Sequence, residues 1–247
     1  MGTLLPFVMA GDPGIDALAA QLAAARAAGI EAIEVGVPHS DPIADGPVLQ
    51  AAAQRAIERG VTAESVLRQL ATIADSPDIV LFTYLNPLLQ LGTPRLVELL
   101  RPTRVRALLI VDLPFDEEPE FEQILRDAGY PIVPLLSPTT SIARAKALLD
   151  ERIDPGPHSP FAQRFAYVVA RLGITGVGTT DLAPVRARVD ALQAITTRPL
   201  AVGFGLGDRQ SLEAVRAMGA VPVVGSALVQ RLAQGESASA AFSSLVA

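Results

Sequence analysis

Two carboxylates, Glu34 and Asp45, stand in unlike surroundings within one stretch, A-I-E-V-G-V-P-H-S-D-P-I-A-D-G-P from Ala32 to Pro47. Glu34 is enclosed by a strand in which Ile33, Val35 and Val37 alternate, and Asp45 follows on a loop rich in turn formers, with Pro38, Pro42, Gly46 and Pro47. A carboxylate on the inner face of a strand is costly to bury ionised, so its pKa rises, while one on a polar loop stays charged. Two carboxyl groups kept apart in this way can do acid and base chemistry near neutral pH. The alternative is that Glu34 points outward to an arginine and Asp45 only shapes a turn.

A second constellation lies late in the chain. Gly203-Phe204-Gly205 and Gly225-Ser226 each close an apolar run just before a helical pattern. Glycine there lets backbone N–H groups approach an oxyanion, and the helix terminus adds partial positive charge. With Gly176 on the preceding loop, Gly173 to Gly178, three loops can converge on one phosphoryl group, although each glycine alone need only permit a tight turn.

Eight strands alternating with helices can hold these residues. The strands read as Leu4 to Met9, Ala32 to Val37, Ile79 to Thr83, Ala107 to Val111, Ile132 to Leu136, Phe165 to Val169, Leu200 to Val202 and Val221 to Val224. Asp12 is expected to cap the first helix with Pro13 at its first position, and Ile15, Leu18, Ala19, Leu22 and Ala25 recur at helical spacing before Gly29 ends it. Thr62 and Thr140 read as further caps, and the acidic run Asp116 to Glu122 opens a helix in the sense that favours its dipole. The pattern is that of an α/β protein, a (β/α)8 TIM barrel, with a doubly wound open sheet as the runner-up. Residues 1–247 are expected to form a single barrel domain, with a surface loop at 150–163.

Composition narrows the chemistry. The chain has 247 residues, half of them apolar, and a net charge of −6 with no basic block, which argues against a nucleic-acid partner. Without cysteine there is no thiol nucleophile or thiolate metal site. Lys146 is the only lysine and lies in a helical pattern, so a Schiff base has no nucleophile; His39 and His158 are too few for a His-rich metal centre. Carboxylate-only magnesium binding stays open, but no metal and no cofactor is assigned. No apolar run is long enough to span a membrane, so a cytoplasmic location is expected.

The segments Pro6 to Pro13 and Glu34 to Pro47, the pair Asp112 and Pro114, the Gly173 to Gly176 loop, Gly203-Phe204-Gly205 and Gly225-Ser226 together resemble the alpha subunit of tryptophan synthase, from about Leu5 to about Leu232. That resemblance implies retro-aldol cleavage of indole-3-glycerol phosphate to indole and glyceraldehyde 3-phosphate. Glu34 would protonate the ring carbon and then take the hydroxyl proton, and Asp45 would accept the indole N–H and stabilise positive charge on the ring. Phe7, Phe82 and Tyr167 would line the indole pocket, Tyr84 would also bind substrate, Thr175 and Gly176 would close over it, and Gly205, Gly225 and Ser226 would hold the phosphate. The implied partner is the tryptophan synthase beta subunit. Two departures bear on that partnership: no amphipathic helix precedes the first strand, and position 39 is His where two-subunit members commonly carry Phe. His39 stands beside the site, placed either to tune Asp45 or to pack. A stand-alone lyase releasing free indole, or a catalytically silent regulatory barrel, are the other readings.

Overall fold

The computed structural model describes residues 4–114, 117–151, 165–169, 182–203 and 208–246. The eight apolar runs form strands β1 (Leu5–Met9), β2 (Ala32–Gly36), β3 (Asp78–Thr83), β4 (Val105–Ile110), β5 (Leu135–Leu136), β6 (Ala166–Val169), β7 (Leu200–Gly203) and β8 (Val221–Val224). Between and after them come helices α1 (Ala17–Ala27), α2 (Pro47–Glu58), α3 (Ala63–Thr72), α4 (Leu85–Leu91), α5 (Thr93–Leu100), α6 (Pro119–Asp127), α7 (Ile142–Glu151), α8 (Ala183–Gln193), α9 (Arg209–Ala217), α10 (Ser226–Ala233) and α11 (Ala238–Val246).

All strand pairs are parallel, in the order β4-β3-β2-β1-β8-β7-β6-β5. The ring closes between β4 and the chain leading into β5. There Leu108 pairs with Ile132, donating its N–H to the Pro131 carbonyl at 3.0 Å and accepting from Val133 N–H at 2.8 Å. This is the (β/α)8 barrel that the alternation of elements predicts.

Side chains alternate between the two faces of each strand, and the core divides accordingly. Val8, Ile33, Val35, Ile79 and Leu81 pack outward with helix residues such as Leu18, Leu22 and Leu67. Leu5, Phe7, Ala32, Val80, Ala107 and Tyr167 fill the interior. Glu34 lies two residues after Ala32 and so belongs to the interior face, removing the alternative that it points outward.

Several local expectations are corrected by long-range contacts. Asp12 does not cap α1, whose N-cap is Asp16. Asp12 is only 4% exposed, and Arg55 donates to its two oxygens from Nε at 2.7 Å and Nη2 at 2.8 Å. Ile15 and Ala19 are exposed, so the buried stripe of α1 is Leu18, Gln21, Leu22 and Ala25. Ser141, rather than Thr140, opens α7: its Oγ accepts the Arg144 N–H, while Thr140 Oγ1 accepts from Ser137 N–H. α6 begins only at Pro119, and α4 is an additional helix. Thr62 caps α3 as expected, in a reciprocal box with Ser65. The expected loop begins after Glu151, since α7 includes Asp150, and residues 152–164 lie outside the described residues.

Candidate active site

β2 delivers Glu34 to the barrel interior beside Phe7, its register partner on β1, with Val80 of β3 on the other side. The glutamate is 1% exposed, and its Oε1 has no hydrogen-bond partner among the described residues. Ionising such a carboxyl would leave a buried charge without compensation, at a cost of several kcal/mol. Burial therefore raises the Glu34 pKa well above the usual carboxylate range and favours the protonated carboxyl.

Past β2 the chain turns tightly, with Asp45 N–H donating to the Pro42 carbonyl at 3.0 Å and Gln50 Nε2 to the Asp45 carbonyl at 2.9 Å. Gly46 is the N-cap of α2 and Pro47 its first residue. Asp45 thus sits at a helix amino terminus, where the dipole favours a charged carboxylate by up to about 1 kcal/mol. Burial wins: the Asp45 pKa is pushed up to about 6, with a hydrogen bond from Tyr84 offsetting part of the rise. The expectation of an ordinary loop carboxylate is corrected here, although Asp45 stays predominantly ionised above pH 6.

Both acids line one cavity of about 510 Å³ at the carboxyl ends of the strands. That is room for a single substrate of moderate size. Phe7, Phe82, Tyr167, Gly225 and Ser226 line it too. Phe7 meets Phe82 edge to face, with ring centroids 5.2 Å apart at 83°. Gly36 makes room for this arrangement, because a β-carbon there would lie 2.4 Å from Phe7 Cζ. Gly203 does the same for Tyr167, whose hydroxyl would be 1.9 Å from an added β-carbon. Gly225 caps the amino terminus of α10 and Ser226 is its first residue, so the N–H groups of that turn lie beside the cavity.

Tyr84 departs from expectation. It is buried but does not line the cavity. Its hydroxyl accepts the Ala44 N–H at 3.0 Å and its ring stacks on His39, with centroids 4.6 Å apart at 26°. Thr175, Gly176 and Gly205 lie outside the described residues. The sequence reading missed the apolar wall formed by Leu49, Val111, Leu135, Val169 and Val223. For Val111, Val169 and Val223 a signal existed: each continues by one step the inward alternation through Leu109, Tyr167 and Val221.

The fold and this mouth define a (β/α)8 barrel with a carboxyl-bearing cavity where such barrels carry their active sites. The sequence model of the family described as tryptophan synthase alpha chain matches residues 1–245. The tryptophan synthase alpha chain of Synechocystis sp. is 37% identical over 235 residues, covering 94% of this chain and 85% of that protein. That of Streptococcus pneumoniae is 36% identical over 237 residues, covering 95% and 88%. A structure reported for the tryptophan synthase a2b2 complex of the hyperthermophile Pyrococcus furiosus superposes with a TM-score of 0.85 at 31% identity, covering 99% of this chain and 96% of the other. The chain belongs to the tryptophan synthase alpha chain family.

Proposed function

We propose that this chain, as the alpha chain of tryptophan synthase in tryptophan biosynthesis, cleaves indole-3-glycerol phosphate to indole and glyceraldehyde 3-phosphate. The observation that carries the reading is Glu34: a carboxyl whose pKa burial raises, on the wall of the cavity that also holds Asp45. Glu34 gives its proton to the ring carbon bearing the glycerol chain, forming an indolenine. The resulting carboxylate takes the proton of the hydroxyl on the adjacent side-chain carbon. That carbon becomes the aldehyde, and the electrons of the breaking carbon–carbon bond return to the ring. Asp45, ionised above about pH 6, accepts the ring N–H and stabilises the positive charge on the indolenine.

Phe7 and Phe82 supply faces and edges for an indole, and Gly225 with Ser226 a helix amino terminus for the phosphate. Thr175, Gly176 and Gly205 complete the closing loop and phosphate grip on this reading. Residues 1–247 act as one barrel domain, and the reaction runs in the cytoplasm. Among the described residues no helix is long and apolar enough to cross a membrane.

The proposed partner is a tryptophan synthase beta subunit, meeting the mouth of the barrel where Asn86 is exposed. Steady-state indole release by the chain alone and with an added beta subunit tests both parts. The reading expects turnover that rises severalfold with the partner. Turnover unaffected by the partner would indicate a stand-alone lyase, and no indole in either case would overturn the reading.

A further inference from the structure

Tyr84 is connected on every side and yet has no surface in the cavity. Its hydroxyl accepts the Ala44 N–H at 3.0 Å and donates to the Asp45 carboxylate. The His39 ring lies stacked on its own. The backbone beneath it is pinned as well. Leu85 N–H donates to Asp112 Oδ1 at 2.7 Å, and Thr83 Oγ1 donates to the Tyr84 carbonyl at 3.0 Å.

We propose that Tyr84, braced by His39, is a positioning residue: its hydroxyl fixes the Ala44–Asp45 segment and holds the Asp45 carboxylate in the charged, N–H-accepting state that the substrate ring requires. The inference rests on the reaction proposed above, and it replaces the substrate contact first expected of Tyr84.

A phenol has one proton to donate and lone pairs to accept with. Here the acceptor role takes up a loop N–H and the donor role meets the carboxylate, so one atom links the shape of the loop to the charge of the acid. Rigidity of the post matters because a displacement of about 1 Å in a reacting group can cost on the order of a hundredfold in rate. The other ionisable groups facing this cluster are Tyr167 of β6, close enough to feel both Asp45 and Glu34, and Asp112 beyond β4, close enough to feel Tyr84. Neither donates to Asp45 in the way Tyr84 does. His39 contributes a flat ring, and an aromatic residue of another kind could supply the same face.

The test is the pH dependence of kcat/KM for indole-3-glycerol phosphate cleavage in Tyr84→Phe, His39→Ala and His39→Phe, with thermal melting as a check on folding. Tyr84→Phe keeps the stacked ring and deletes only the hydroxyl. Its acid limb should move up by about one pH unit, with about a fivefold loss at pH 6 that narrows at pH 8.5. His39→Ala should move the limb in the same direction by less, and His39→Phe should restore it. If wild type and Tyr84→Phe share the same acid limb, the proposal is wrong, whatever the absolute rates. If Tyr84→Phe does not fold, carbon-13 titration of the Asp45 carboxyl in wild type and in His39→Ala decides: identical midpoints overturn the proposal. A wild type that releases no indole would instead count against the reaction itself.

Discussion

Phe7 and Gly36 fit together only because the glycine has no side chain: a β-carbon at position 36 would lie 2.4 Å from Phe7 Cζ and 2.8 Å from Cε2. Phe7 is also the register neighbour of Glu34, so the ring that needs this space packs beside the buried acid. Overpacking of this kind costs about 1–3 kcal/mol and displaces the ring. Gly36→Ala should therefore lower kcat/KM for indole release at least tenfold, and adding Phe7→Leu should recover part of the loss. Steady-state kinetics of the single and double variants checks this.

The two acids should appear separately in the pH–rate profile. With Asp45 at about 6 and required ionised, kcat/KM should fall about tenfold per pH unit below pH 6. Glu34, raised well above the usual carboxylate range by burial and required protonated, sets the alkaline limb. Asp45→Asn should leave a slow enzyme without the acid limb, which a profile from pH 5 to 9 would reveal.

Stability carries the opposite signature. The folded state holds the Asp45 proton up to about pH 6, whereas the unfolded chain releases it near 3.8. Between those values the native state binds more protons, so this group lowers stability as pH rises from about 4 to about 6. The full effect is at most about 3 kcal/mol and is reached above pH 6. Asp45→Asn should raise stability by about 1–2 kcal/mol at pH 8, a gain of several degrees in melting temperature that shrinks towards pH 4. Calorimetry across that range is the measurement.

Asp12 and Arg55 join the loop after β1 to α2 through a carboxylate that is almost wholly enclosed. Removing the arginine leaves that charge without its main partner, since Arg59 Nη1 is 3.9 Å away. Arg55→Ala should destabilise the fold by about 3 kcal/mol, measured by urea unfolding. Arg55→Ala/Asp12→Asn should recover a part.

What the sequence made legible was whatever local order encodes. Alternation in β2 set Glu34 on the strand face opposite Ile33 and Val35, and Thr62 read as a helix cap that the hydrogen bonds bear out. What it hid depends on partners distant in the chain. α4 escaped notice because its first N–H is capped by Asp112, 27 residues away, and no local cap precedes it. Asp12 reads locally as a cap until an arginine 43 residues on captures it. Asp45 looked like an ordinary loop acid because nothing near it in sequence reveals that the fold buries it and sets Tyr84 beside it. The role of Tyr84 was hidden for the same reason.

Glu34→Gln keeps the shape of the side chain and removes the proton that the proposed reaction passes back and forth. The most direct measurement is indole release from indole-3-glycerol phosphate by this variant beside wild type, with substrate binding measured on the same samples. The account predicts that the variant folds, binds substrate within about threefold of wild type and loses at least a thousandfold in kcat. A variant that still releases indole within about tenfold of the wild-type rate would contradict it.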